Sequence, residues 1–230
     1  MSGKHLSSQF EADLNQLSAR IMAMGGAVEQ QLKHAATAMQ TGADVTRVAD
    51  LGERSINEME REVDAHCAFL IASRQPAAQD LRFVLSMLKV CNNLERVGDE
   101  AYKLCLRATA VHSLQRHEFK ELQAISAAMS ALLQMADTMI HQALDCLARL
   151  STNDAKRLLA QDTQLDIAYR ELIALVVRAM SRLPDLAAPL AELLFLLKAI
   201  ERMGDHATNI AESVIYIVLG DDIRHTYEAV

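Results

Sequence analysis

Tryptophan is absent from this sequence, which is also poor in turn-forming and aromatic residues. The 230 residues include only three prolines and eight glycines, and aromatic residues make up 4%. β-Sandwiches and β-barrels need many turns, so this scarcity argues against both. Hydrophobic residues nevertheless reach 51%, and leucine, alanine and methionine, which favour helices, dominate them. The composition predicts an all-α fold with long helices and few loops.

Runs of basic residues are missing as well. The net charge is −7 and the pI about 5.6, which argues against a general nucleic-acid binder. The N-terminus lacks the continuous apolar segment of a secretory signal. The longest apolar stretch, residues 186–200, is interrupted by Pro189, Glu192 and Lys198, and a membrane span needs ~20 apolar residues. We expect a cytoplasmic protein without a nucleic-acid partner or membrane insertion.

Motifs for catalysis are also lacking. The chain contains no G-x-x-x-x-G-K-[ST] loop, no G-x-G-x-x-G, no G-x-S-x-G, no H-E-x-x-H and no Glu-x-x-His pair of a di-iron bundle. The four cysteines show no C-x-x-C spacing and lie among apolar neighbours, which indicates buried, reduced thiols: Cys67, Cys91, Cys105 and Cys146. The sequence therefore predicts a protein that is not an enzyme.

Apolar residues recur at steps of three and four, which predicts six amphipathic helices. Their approximate extents are residues 10–41, 44–73, 76–110, 119–151, 154–182 and 185–219. Asp44 is a candidate cap for the second helix, and Pro76 suits the first turn of the third. Gly220 is a suitable stop for the sixth helix.

The third and sixth helices carry the same pattern. Leu94–Ala101 matches Ile200–Ala207 at an offset of 106, and Glu53 and Asn57 match Asp162 and Asp166 at an offset of 109. This repeat predicts two pseudo-symmetric three-helix bundles in tandem, residues 1–112 and 113–230. The joining segment, residues 112–116, is so short that we expect the two units to pack into one elongated bundle.

Each repeat contains one Glu-x-x-x-Asp pair on its last helix. Glu95 and Asp99 are four residues apart, so their carboxylates lie one turn apart on the same face and repel each other. Four basic residues recur at every seventh position and mark a solvated face of the third helix, from which both acids point away: Arg82, Lys89, Arg96 and Lys103. A nearby cation is the natural compensation for the paired acids.

The second helix offers further oxygen ligands, since its polar residues form a stripe beside its apolar face. The resulting set of predicted metal ligands comprises Glu95, Asp99, Glu53, Asn57, Glu60 and Asp64 in the first unit, and Glu201, Asp205, Asp162 and Asp166 in the second. Asp50 belongs to the same stripe. Such oxygen-rich sets suit Fe, Mn, Mg or Ca, and Zn less well.

The second site is expected to be the poorer one. Tyr169 and Ile173 replace Glu60 and Asp64 there, unless His206 or the Tyr169 hydroxyl contributes a ligand. Gly98 and Gly204 lie between the acids, and a glycine within a helix costs ~1 kcal/mol relative to alanine, so they mark a close approach to the backbone. The alternative is that arginine–carboxylate pairs lock the helices together without metal, and the acids of the second helix are solvated surface.

Five segments of the chain stand out together: Ile56-Asn57 with Glu60, ASRQPAAQDLR at 72–82, LERVGD at 94–99, IERMGDHATNIAE at 200–212 and DIRH at 222–225. With these segments the sequence resembles the PhoU family, the accessory regulators of bacterial phosphate uptake. The resemblance implies two three-helix bundles, homodimers, and metal clusters on the Glu-x-x-x-Asp motifs. It also implies an adaptor that restrains the phosphate ABC transporter through its ATPase subunit and holds a sensor histidine kinase in its non-signalling state.

One segment departs from the repeat. Leu183-Pro184 stands where the first unit has Gln75-Pro76, so contacts of the Arg-Gln-Pro turn are expected in the first unit only. A second function also stays open at this point, namely a metal-binding or metal-buffering helical protein without a transporter partner.

Overall fold

The computed structural model of the protein describes residues 2–221, with side chains from Ser8 onward. Six long helices and one 3-10 turn account for nearly all of this part of the chain. They are α1 (Ser2–Thr41), α2 (Thr46–Arg74), α3 (Ala78–Gln115), α4 (Lys120–Arg149), α5 (Thr152–Arg182), the turn Pro184–Leu186, and α6 (Ala187–Leu219). The predicted all-α fold is confirmed, and no strand occurs between residues 2 and 221.

Two helices are longer than predicted. The first starts at Ser2 rather than Phe10, since the polar residues that precede the apolar pattern contain no proline to end a helix. The third continues five residues past Ala110 because Val111 and Leu114 extend its buried stripe. Most of the predicted joining segment is therefore helical, and the units are connected by residues 116–119 instead. The predicted boundary between residues 112 and 113 falls in the last turn of α3 and stays a prediction.

The helix ends also differ in detail. Pro76 precedes the N-cap Ala77, so its predicted place inside the first turn of α3 is wrong. Val45 occupies the N-cap of α2 without a side-chain bond, while Asp44 Oδ1 accepts the Thr46 amide at 2.9 Å. Gly220 ends α6 with a φ of 80°, as predicted.

The helices form two layers. α2, α3, α6 and α5 lie side by side in that order, with α1 behind α2 and α3, and α4 behind α5 and α6. α3 and α6 form the centre of the front layer and run antiparallel. Arg82 near the start of α3 donates to Ile217 O near the end of α6, and Arg107 near the end of α3 pairs with Glu192 near the start of α6. This arrangement relates the units by a pseudo-twofold operation and places α3 opposite α6.

The interior is one continuous apolar core contributed by all six helices. The four cysteines are buried and unpaired, which confirms the predicted environment, and burial raises the pKa of Cys67 and Cys91 to about 12. Such thiols are unreactive at neutral pH. Between residues 2 and 221, the helices include no segment with the length and apolarity required to cross a bilayer.

Candidate functional site

Glycine sets the distance between the paired helices at both Glu-x-x-x-Asp motifs. A Cβ added to Gly98 would lie 3.0 Å from Ile56 Cδ1, and one added to Gly204 would lie 2.2 Å from Leu165 Cδ2. The close approach predicted from these glycines is therefore that of α2 in the first unit and α5 in the second. It brings the polar stripes of α2 and α5 against the acids of α3 and α6.

The first site centres on Glu53 and Asp99. Glu53 accepts a 3.2 Å hydrogen bond from Asn57 through Oε1, whereas its buried Oε2 finds no donor among the side chains and backbone that the structure describes. Burial, followed by the proximity of Asp99, raises the pKa of Glu53 to about 7, against the effect of the Asn57 bond. The two carboxyl groups repel each other when both are ionised, so at neutral pH a proton or a cation would stabilise the pair.

Glu60 and Glu95 continue the first site. Burial raises the pKa of Glu60, and the charges of Asp64 and Asp99 raise it further. The pKa of Glu95 is likewise raised by burial and then by Asp99 and Glu60. Four of the predicted ligands of the first unit, Glu53, Glu60, Glu95 and Asp99, thus lie close to one another between α2 and α3. Asp64 itself is exposed at the edge, and Asp50 is engaged instead by the Tyr102 hydroxyl at 2.7 Å.

The second site lies between α5 and α6. Burial and then the charges of Glu201 and Asp162 raise the pKa of Asp205 to about 6. The pKa of Asp162 is raised by burial and by Asp166 and Glu201. Asp166 also pairs with the exposed Arg170 at 3.1 Å. All four predicted carboxylates of the second unit therefore face one another as expected from the repeat.

A lysine that the sequence reasoning overlooked changes the second site. Lys198 Nζ forms an ion pair with Glu201 and lies 5.9 Å from the centre of the Tyr169 ring. The corresponding residue of the first unit, at the same offset of 106, is Asn92. The position of Lys198 three residues before Glu201 is the signal that could have revealed the ion pair, since residues at this spacing are neighbours on a helix. The second site thus contains its own cation.

His206 does not belong to the second site, so its suggested role as a ligand there is wrong. Its side chain is buried toward α3, where Nδ1 lies 3.0 Å from Asn93 Oδ1, and among residues 8–221 Nε2 has no hydrogen-bond partner. Successive residues of a helix point about 100° apart, which separates His206 from Asp205. The pKa of His206 is lowered to about 4, by burial and then by Arg202 and Arg96.

The basic stripe of α3 is less solvated than predicted. Arg82 is half-buried, its Nε donates to Ile217 O at 3.2 Å, and its guanidinium lies 5.9 Å from the centre of the Tyr216 ring. The stripe faces the seam with α6 at this end because α6 packs along the same side of α3.

The donor set fits a hard cation in its chemistry. Carboxylate and amide oxygens face one another in pairs across the α2–α3 and α5–α6 contacts, and the orphaned Glu53 Oε2 lacks a positive partner. As the side chains stand, however, no group of three His, Cys, Asp or Glu within the described residues is close enough to hold an ion. Metal ligation by the ten predicted residues stays a prediction, and it requires the side chains to close around the ion.

Comparison with known proteins places the chain in a family. The PhoU domain matches twice, over residues 21–108 and 129–214. The chain belongs to the PhoU family. It is 38% identical over 223 residues to the phosphate-specific transport system accessory protein PhoU of Edwardsiella tarda, covering 96% of this chain and 89% of that protein. The protein of the same name from Escherichia coli (strain K12) is 36% identical, with 96% and 90% covered.

Solved PhoU structures share the fold. The crystal structure of PhoU from Pseudomonas aeruginosa superposes with a TM-score of 0.81 at 33% identity, covering 92% of this chain and 100% of that one. The phosphate transport system regulatory protein PhoU from Streptococcus pneumoniae gives a TM-score of 0.77 at 22% identity, covering 92% and 98%. The family expected from the sequence is confirmed, as is the tandem three-helix architecture. The motif at 222–225 lies outside the described residues.

Proposed function

We propose that this protein is a non-enzymatic regulator of phosphate uptake that acts when phosphate is plentiful. In this role it restrains the phosphate ABC transporter through the ATPase subunit and keeps a sensor histidine kinase in its non-signalling state. The supporting observation is similarity over almost the whole chain to accessory proteins of phosphate-specific transport, at 36–38% identity. A regulator of this kind works in the cytoplasm.

Metal ions are part of the proposal. Glu95 and Asp99 would hold a cation with Glu53, Asn57 and Glu60, and a second would be held by the corresponding acids of α5 and α6. Fe, Mn and Mg suit these oxygen ligands, and Zn suits them less well. The ion would supply positive charge that offsets both the burial and the mutual repulsion that raise the pKa values of Glu53 and Glu95. The residues themselves would fix the separation of α2 from α3.

Complementation tests the regulatory role. A strain that lacks its own copy of the gene and carries a phosphate-starvation reporter is expected to express the reporter even in excess phosphate. The wild-type chain should switch it off, and Glu95→Ala/Asp99→Ala should do so less completely. The matched control is Glu58→Ala/Glu62→Ala, which removes two acids at the same spacing on the exposed side of α2. Full reporter expression in the presence of the wild-type chain would exclude the regulatory role.

Metal buffering without a transporter partner is the second candidate, favoured by the two carboxylate sites. It differs from the regulator in what it binds. Purified ATPase subunit and the cytoplasmic part of the kinase, each mixed with the chain in high phosphate, should form complexes only if the chain is an adaptor. Metal uptake with no binding to either protein supports the buffer instead.

A further inference from the structure

All five basic residues of α3 lie on one face, although the chain as a whole is acidic. They are Arg82, Lys89, Arg96, Lys103 and Arg107. At 100° per residue, each of the five points within about 40° of their mean direction around the helix axis. Lys198 and Arg202 of α6 lie beside them. These seven residues define the central basic strip of the front layer, while the net charge of the protein is −7.

Carboxylates neutralise part of this strip, and Lys198 is already paired with Glu201. Glu100, which is buried, pairs with Lys103 at 3.1 Å and with Arg202 at 2.8 Å. Arg107 pairs with Glu192 at 3.5 Å, and both side chains are largely exposed. Within residues 8–221, Arg96 makes no ion pair, so the strip retains an excess of positive charge toward solvent.

An exposed aromatic residue lies in one half of the strip. Phe195 is 70% exposed, the highest value among the large hydrophobic residues with described side chains. On α6 it lies two turns from Arg202 and one turn from Glu192, hence beside Arg107 across the helix contact. In the other half, Tyr216 is already covered by Lys89, whose Nζ lies 5.2 Å from the ring centre. Among the described residues of the strip, the Phe195 end is therefore the one with an exposed aromatic ring that no cation covers.

The shape of the strip indicates what it binds. From Arg82 to Arg107 it extends ~37 Å along α3, yet it is only one helix contact wide, ~10 Å. Carboxylates flank both long sides, Glu95 and Asp99 on α3 and Glu201 and Asp205 on α6. A flat anionic membrane would meet these acids as well as the strip, whereas a single acidic helix fits between them.

We propose that the central basic strip docks an acidic helical segment of a protein partner, with Phe195 inserted into an apolar contact of that segment. The inference rests on the proposed function, because the partners to be tested are the transporter ATPase subunit and the sensor kinase. Charges on the strip guide the partner and set its register, and the aromatic residue supplies desolvated contact area.

Binding measurements with matched variants test the strip. Phe195→Ala is expected to weaken binding of one of the two partners about tenfold or more, and Arg107→Glu about fivefold. Phe69→Ala is the control for the aromatic residue, since Phe69 is 54% exposed but lies at the far end of α2. Arg157→Glu is the control for charge, as Arg157 pairs with Asp154 on the α4 side of α5. Both controls should bind within about twofold of the wild type, and salt should weaken all complexes.

Each outcome decides the matter. Equal binding by the wild type and all four variants would overturn the strip while leaving the proposed function intact. Failure of the wild type to bind either partner would remove the proposed function and the inference with it. If Phe195→Ala and Arg107→Glu bound both protein partners normally but no longer bound phosphatidylcholine vesicles containing phosphatidylserine, the strip would be a lipid-binding surface and the proposal would be wrong. The strip would belong to a second copy if these variants changed only the oligomeric state.

Discussion

The two Glu-x-x-x-Asp sites are built on the same helices of the repeat but solve the same electrostatic problem differently. In the first, Glu53, Glu60, Glu95 and Asp99 face one another, and the pKa of Glu53 rises to about 7. In the second, Lys198 pairs with Glu201, and Tyr169 stands in place of Glu60. A repeated motif therefore does not guarantee a repeated site. At the first site a proton or a cation from solution would offset the paired acids, whereas the second already contains the ammonium group of Lys198.

Metal titration should show the largest difference between the sites. We expect the metal-free protein to bind Mn²⁺ in two affinity classes, and Glu95→Ala/Asp99→Ala to remove the tighter class. The loss in affinity should exceed ~100-fold, the upper range for removing groups that merely support a ligand. Isothermal calorimetry with Mn²⁺ and then Fe²⁺ measures it, and Glu58→Ala/Glu62→Ala is the control. Loss of the tighter class from Glu201→Ala/Asp205→Ala instead would reverse the order of the sites.

The next largest difference between the sites is expected in the stability cost of replacing the glycine that lies between the paired acids. Gly204→Ala places a methyl group 2.2 Å from the buried Leu165, while Gly98→Ala places one 3.0 Å from Ile56. After the helix-propensity gain of ~1 kcal/mol, overpacking should leave Gly204→Ala destabilised by about 1–2 kcal/mol and Gly98→Ala near neutral. Urea denaturation of the metal-free proteins measures both. Equal effects of the two substitutions would show that α2 and α5 approach their partners alike.

Exchanging the residues that differ between the sites should move their affinities toward each other. Lys198→Asn removes the internal cation and should strengthen metal binding at the second site about fivefold. Asn92→Lys should weaken the first site by a similar factor, since one nearby charge contributes ~1 kcal/mol where solvent screens it. The same Mn²⁺ titration measures both changes. Unchanged affinity in both variants would mean that Lys198 turns away when metal enters.

The smallest expected effect concerns pH. Because the folded protein raises the pKa of Glu53 from 4.5 to about 7, it favours the protonated carboxyl group. That contribution to stability is complete below pH 4.5 and is lost as the pH rises through 7. The melting temperature of the metal-free protein should fall over this range, and Glu53→Gln should flatten the fall. If the melting temperature of Glu53→Gln fell with pH as steeply as that of the wild type, the proton responsible for this pH dependence would be bound by another group.

The sequence predicted the helices well because their apolar periodicity is regular, and the repeat predicted their grouping. It predicted which acids share a helix face because a spacing of four residues fixes this, while their role as metal ligands stays a prediction. What it could not give is the direction of side chains between helices. Lys198 was read as a break in an apolar run, and His206 as a neighbour of Asp205. The pairing of Lys198 with Glu201 could have been read from their spacing of three on one helix. The side on which His206 meets α3 depends on the relative rotation of α6 and α3, which local sequence does not determine.

The ion pair across the centre distinguishes the two halves of the molecule. Arg202 of the second unit pairs with Glu100 of the first, but the pseudo-twofold operation sets Arg96 against His206, which stands where the first unit has Glu100. Two copies of the first unit joined by the same operation would form two such pairs, and two copies of the second would form none. The second unit expressed alone would thus lack the carboxylate needed for an ion pair between two of its copies. The first unit expressed alone contains both Arg96 and Glu100, the two residues needed for such a pair.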